Sequence, residues 1–268
     1  MKAERFELML FSTDVPLICE AVEAGVDGII VDWEQRGKPT RQAGADTEIN
    51  YDTPADLRRV RQATAARVIC RINGVCPTTN EEIETAVGEG ADEILLPMVR
   101  TAREVENAFN VVRGRCGVGI LVETVSAVEC IPSFDSLPLS RVYVGLNDLA
   151  IERGTSNLFN AVTDGTVERV RRATTVPFGF GGLTLPECGD PIPCRLLMGE
   201  MARLDCRFSF LRRSFRRDSR GRRLADVVER IRAGLAECAK RSNAQVTCDQ
   251  EALCRAVENW DLVRAAAG

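Results

Sequence analysis

Short apolar runs alternate with helix-like segments along most of this chain, and that rhythm restricts the fold more than any other feature. The strand-like runs are ELMLF (7–11), GIIVDW (28–33), RVICRI (67–72), EILLPM (93–98), VGILVE (118–123), RVYVGL (141–146), VPFGF (176–180) and RFSFL (207–211). Helical patterns fall between them, among them 54–65, 79–90, 102–113 and 164–174. Strand cores this uniformly apolar are buried on both faces, which indicates a parallel sheet covered by helices. A faint echo between AVEAGVDGIIVD (21–32) and AVGEGADEILLP (86–97) suits a repeated βα unit. Eight such strands predict an α/β chain folded as a (β/α)8 TIM barrel with an extra C-terminal helix. An open doubly wound sheet is the alternative, weakened because no Gly-x-Gly-x-x-Gly follows the first strand. The barrel is expected over residues 1–240 and a helical extension over 241–268. Thr247 and Gln250 form a capping-box pattern there, ahead of an apolar stripe of Leu253, Val257, Trp260 and Val263. That stripe suits packing on the barrel or on a neighbouring subunit, and a homo-oligomer is expected.

Composition enters through what it excludes. A chain of 268 residues can bury roughly 70–75% of its unfolded surface and needs no covalent staples. Its 11 Cys contain no Cys-x-x-Cys and sit mostly in apolar contexts, as buried thiols of a reducing compartment do. No apolar run approaches a membrane span, and MKAERFELML has no apolar signal core, so a cytoplasmic protein is expected. The net charge of −4 argues against general nucleic-acid binding. An exception is LRRSFRRDSRGRR (211–223), whose seven Arg suit a solvated or subunit-contacting loop or a landing place for an anionic substrate tail. There is no histidine, so any metal has to be held mainly by oxygen ligands, which favours Mg²⁺ or Mn²⁺. Only Lys2, Lys38 and Lys240 are lysines, which leaves Lys38 as the candidate for Schiff-base chemistry.

In a (β/α)8 barrel the chemistry collects at the C-terminal strand ends. Those ends carry Asp32 and Glu34, Arg71-Ile72-Asn73-Gly74, Glu123-Thr124, Gly145-Leu146-Asn147-Asp148, and Gly179-Phe180-Gly181-Gly182. Asp148 before LAIER reads either as a helix N-cap or as a ligand. Glu123 follows an apolar run, where an unpaired carboxylate is costly, and with Asp148 it could share one hard cation. Arg71 needs a partner: a substrate carboxylate, an ion pair with Asp32, or both in turn. The Gly181-Gly182 turn could offer backbone amides to an anion.

GILVETVSAVECI (119–131) followed by VYVGLNDLAIERG (142–154) resembles the HpcH/HpaI aldolase and citrate lyase β-subunit family, barrels of the phosphoenolpyruvate/pyruvate type. VICRING (68–74) and EILLPMVRTAREVENA (93–108) resemble it in the same order. The resemblance implies a Mg²⁺- or Mn²⁺-dependent carbon–carbon lyase acting on a pyruvate-like 2-oxo acid, with an aldehyde or acyl-CoA as the other partner. It implies Glu123 and Asp148 as metal ligands and Arg71 as the group that binds the 2-oxo acid. Asp32 and Glu34 match the acidic pair ending the second strand. Substrate contacts are expected from Arg71, Gln35, Lys38, Gly145, Asn147, Gly181 and Gly182.

One position departs from the family. Its aldolases carry Asp-x-Glu-His at the second strand end, with the His as base, and its citrate-lyase-like members carry Asp-x-Glu-Asp. This chain has Asp32-Trp33-Glu34-Gln35, and Gln35 cannot accept a proton at neutral pH. A metal-bound water, Glu34 or another carboxylate, or a substrate group could take its place. Alternatively the aldol reaction is lost, and Arg36, Lys38, Arg41 and Glu48 either define another substrate or form a solvated loop. A CoA-ester lyase and a non-catalytic barrel binding a 2-oxo acid or metal are the competing functions.

Overall fold

The computed structural model describes residues 5–41 and 50–267. Nine parallel strand segments form one sheet: β1 (Glu7–Phe11), β2 (Gly28–Asp32), β3 (Arg67–Arg71), β4 (Glu93–Leu96), β5 (Gly117–Val122), β6 (Arg141–Val144), β7 (Phe178–Phe180), β8 (Gly182–Leu183) and β9 (Phe208–Leu211). The order is β7-β6-β5-β4-β3-β2-β1-β9-β8. β7 pairs with β6 and β8 pairs with β9, and only Gly181 lies between β7 and β8. The two segments are therefore one interrupted stave that closes the ring, so the eight expected staves appear as nine segments. Gly181 makes the break at φ +60, a left-handed backbone that glycine adopts without a Cβ penalty.

The apolar strand residues serve two cores. Alternate residues face outward, where Leu8, Ile29, Val68, Ile94 and Val142 meet helix residues such as Leu57, Ile83, Val105 and Val167. The others face inward, where Met9, Ile30, Ile69, Leu95, Leu121, Tyr143, Phe208 and Phe210 fill the barrel. This period of two also decides which polar residues enter the interior. Below the apolar layer lie Glu7, Arg67, Glu93 and Arg141, and above it lie Asp32, Arg71 and Glu123. Arg141 Nε donates to Glu93 Oε1 at 2.7 Å, and its NH1 reaches Glu7 Oε2 at 3.2 Å from across the barrel. The guanidinium also lies 4.6 Å from the centre of the Phe208 ring. This lower ionic layer has no counterpart in the reading of the strand ends.

The helices follow their caps. Pro54–Ala63 begins with a Thr53/Asp56 capping box and Ala102–Val112 with a Thr101/Glu104 one. The final helix, Asn243–Ala267, starts earlier than its expected signal. Ser242 and Gln245 exchange the two capping hydrogen bonds, while Thr247 lies inside the helix and bonds back to the Asn243 carbonyl. Leu253 and Val257 of the stripe are buried on the chain's own barrel, where Asn157 Nδ2 donates to the Val257 carbonyl at 3.2 Å. The Val263 side chain falls outside the described ones. Among the described residues no helix is long and apolar enough to cross a membrane.

Glu93 and Arg141 are each 1% exposed. Glu93→Ala leaves a buried guanidinium with only the more distant Glu7 and is expected to lower the unfolding free energy by about 3–5 kcal/mol. Urea denaturation checks this; a loss below about 1 kcal/mol would mean that the layer is effectively solvated.

Candidate active site

The site starts from a register. β2 and β3 place Asp32 directly opposite Arg71. Arg71 Nε and NH2 donate to the two Asp32 oxygens at 2.8 and 2.7 Å, a bidentate fork. The guanidinium also lies 4.9 Å from the centre of the Phe11 ring. Burial alone would raise the Asp32 pKa, but the Arg71 charge and hydrogen bonds, with Lys38 and Asn50, hold it at about 2. Asp32 is further fixed through its backbone, whose N–H donates to Asp52 Oδ2 at 2.9 Å.

Beyond β2 the chain carries charge into the mouth. Glu34, 1% exposed, accepts from Arg41 NH2 at 2.7 Å. Its other oxygen, Oε2, has Lys38 Nζ at 3.3 Å and Arg71 NH1 at 3.5 Å but no hydrogen bond. Lys38 is 3% exposed and also lies 3.4 Å from Asp32 Oδ2. Arg41 Nε donates to Asp148 Oδ1 at 2.7 Å. Lys38 and Arg41 are therefore not part of a solvated loop; Arg36 is exposed, and Glu48 lies outside the described residues. Asn73 Oδ1 accepts from the backbone N–H groups of both Gln35 and Arg36 at 2.9 Å, so a β3 loop fixes the path of the acidic stretch.

Glu123 follows β5 and is 2% exposed. Its Oε1 accepts from the Met98 N–H at 2.8 Å, and Met98 holds a left-handed backbone at φ 54. Burial, then the Glu34 and Asp148 charges, push its pKa up to about 8, against the pull of Arg71. Gly145 makes room for this carboxylate: a Cβ there would stand 2.9 Å from Glu123 Cβ and closer still to Oε2. Thr124 locks the following turn, donating to the Val99 carbonyl at 2.7 Å and accepting from the Ala127 N–H at 3.0 Å. Asp148 is not the N-cap of its helix. Leu146–Arg153 is capped at Gly145, which puts Asp148 in the first turn, where the helix dipole favours an acid.

The fold thus joins Asp32, Glu34, Lys38, Arg71 and Asp148 in one ionic network, with Glu123 and Gly145 against it. It does not bring every expected residue there. The Asn147 side chain makes no hydrogen bond among the described residues, Gly181 faces Leu146 and Met201, and Gly182 faces Arg212. The bridging role of Arg41 and the support from Asn73 and Asp52 were not legible beforehand. Arg41 and Asp148 are 107 positions apart, and no local pattern links them.

Among the described residues no three His, Cys, Asp or Glu side chains stand together as a ready-made metal cage. Two carboxylates do suffice for Mg²⁺-type ions, which keep several water or substrate ligands. Burial, then the Glu34 and Asp148 charges, raise the Glu123 pKa, and a cation beside these carboxylates would offset both, so the donors fit a hard cation.

A ring of parallel strands with acids and an arginine at its C-terminal mouth defines an α/β barrel with an enzyme-type site. A sequence model of the family described as HpcH/HpaI aldolase/citrate lyase matches residues 5–159, more than half of the chain, and the chain belongs to that family. Its members are lyases and aldolases of small molecules, generally dependent on a divalent metal. Among solved structures, the HpcH/HpaI aldolase from Desulfitobacterium hafniense DCB-2 is similar at 17% identity and TM-score 0.58, covering 78% of this chain and 86% of that one. RipC from Yersinia pestis is similar at 14% identity and TM-score 0.58, covering 91% and 99%. These likenesses concern the fold. No curated protein sequence matches the chain.

A carboxyl group whose folded-state pKa is raised stabilises the fold fully below its unfolded value, and that contribution is lost as pH rises through the folded value. With divalent cations chelated, the stability of the wild type relative to Glu123→Gln is expected to fall from about pH 5 to about pH 8 and then level off. Urea titrations across that range check it, and a flat difference contradicts the raised value.

Proposed function

We propose that this protein is a divalent-metal-dependent carbon–carbon lyase or aldolase that handles a pyruvate-like 2-oxo acid through its enolate. The observation that carries this reading is Glu123, pushed up to about 8 by burial and then by the Glu34 and Asp148 charges, in the same mouth as a half-buried arginine. A Mg²⁺ or Mn²⁺ ion held by Glu123 and Asp148 would supply Lewis-acid stabilisation of the negative charge that an enolate carries. Arg71 binds and orients the 2-oxo acid carboxylate, and Asp32 fixes the guanidinium for it from behind.

The missing histidine leaves proton transfer to a carboxylate. Glu34 Oε2 is the acceptor best supported, because it is buried beside Arg71 and makes no hydrogen bond of its own. In the cleavage direction it takes the proton of the substrate hydroxyl. The carbon–carbon bond then breaks, the aldehyde leaves, and the remaining enolate regains a proton at carbon. Lys38 acts as a positioning cation in this scheme. Its amine lies between two carboxylates, the reverse of the cationic or apolar settings that activate a nucleophilic lysine.

Exchange of the pyruvate methyl protons for deuterium, followed by NMR with Mg²⁺ or Mn²⁺ present, tests this directly. Glu123→Gln should abolish the exchange, and Arg71→Gln should slow it roughly 10²-fold or more. Unchanged exchange in Glu123→Gln sinks the reading. Arg41 holds Asp148 Oδ1 and its charge competes with a cation for that carboxylate. Arg41→Gln is therefore expected to bind Mn²⁺ more tightly than the wild type, seen as less free Mn²⁺ by EPR at equal loading. Equal or weaker binding contradicts the competition.

A further inference from the structure

The Arg-rich stretch 211–223 is not absorbed by this chemistry, and its arginines separate into two kinds. Six of the seven are exposed, and several are committed to the protein itself. Arg216 NH2 donates to the Phe11 carbonyl at 2.9 Å, Arg217 Nε to Asp218 at 3.1 Å, and Arg223 NH2 to Asp226 at 2.6 Å. Arg212 is different. It is half-buried, its Nε is sealed from solvent with no hydrogen-bond partner, and among the described residues no carboxylate pairs with its guanidinium. The other arginines of the barrel interior, Arg67, Arg71 and Arg141, are all paired with carboxylates. A guanidinium N–H sealed from water without a partner is costly, and the fold keeps this one in place.

Its position is at the mouth. Arg212 is the first residue beyond β9 and shares the inward parity of Phe208 and Phe210. The β1–β9 register ends at Leu10 opposite Leu211, so Arg212 continues it to the level of Phe11, the residue whose ring carries Arg71. Two glycines pack closely against it. A Cβ on Gly182 would fall 2.6 Å from Arg212 Cβ, and one on Gly189 would fall 2.9 Å from Arg212 NH2.

We infer that Arg212 is an anion-binding residue that receives a carboxylate or phosphate group on the second substrate. The assignment to the second substrate rests on the function proposed above, in which Arg71 takes the 2-oxo acid. The Arg212 fork pairs with the anion, replaces the hydration it lost, and selects an acidic acceptor over a neutral one.

The test is NMR of the arginine Nε–Hε signals of the full-length protein, titrated with inorganic phosphate, with acetate and with neutral glycolaldehyde. The Arg212 signal is assigned by its absence in Arg212→Lys. It should shift saturably with an anion and stay still with glycolaldehyde. A response to phosphate alone assigns a phosphate-bearing substrate, to acetate alone a carboxylate-bearing one, and to both a shared anion site. No response to either anion, or the same weak drift in every exposed arginine, overturns the inference. Calorimetric affinity for the responding anion should drop roughly tenfold or more in Arg212→Gln and less in Arg212→Lys, with thermal melts showing both variants folded. Pyruvate methyl exchange by the wild type judges the parent reading separately. Exchange without an Arg212 response sinks the anion site alone; a response without exchange sinks the second-substrate assignment and the proposed reaction.

Discussion

The Asp32–Arg71 fork is the interaction on which the rest of the mouth depends. It ties the ends of β2 and β3 and lets two charges persist where water is scarce. It also sets the direction of everything downstream. Asp32 accepts the Glu34 N–H at 3.1 Å, so the same carboxylate that holds Arg71 also starts the turn that carries Glu34 and Lys38 inward. Without the fork, burial would drive Asp32 toward its neutral form, and Arg71 would lose its main counter-charge.

Among the described residues the carboxylates Asp32, Glu34, Glu123, Asp148 and Asp52 gather around the cations Arg71, Lys38 and Arg41. Burial, then the Glu34 and Asp148 charges, make Glu123 the carboxylate of the mouth whose pKa rises most. A buried acid without a matching cation is expensive as a structural element. The lower layer of the same barrel makes the contrast. There Glu93 and Arg141 meet at 2.7 Å with Glu7 beside them, far from the mouth, and hold strands β1, β4 and β6 together through the interior.

Much of the architecture was legible before the structure. Apolar strand cores with a helix between each pair imply a covered parallel ring, because such strands have no face to leave in water. The strand ends then follow, and with them Asp32, Glu34, Arg71, Glu123 and Asp148 as the polar residues delivered to one mouth. The break inside the β7–β8 stave was not legible, since a single left-handed glycine in GFGG looks like any other turn. The start of the final helix was misplaced for a related reason. Two overlapping Ser/Thr-to-Gln patterns compete at 242–250, and the structure caps the helix with the earlier one.

What the sequence determined by itself was therefore the alternation, the parity of each strand and the family signature, all of which are local patterns read within about a dozen residues. Only the tertiary structure decided which charges meet. Arg41 and Asp148 touch across 107 positions, Asn73 organises Gln35 and Arg36, and the Arg212 Nε is sealed without a partner among the described residues although six neighbours in the same basic stretch are exposed. The physical reason is that charge pairing depends on distance and desolvation in space, and closing the ring brings together ends that the chain order keeps far apart.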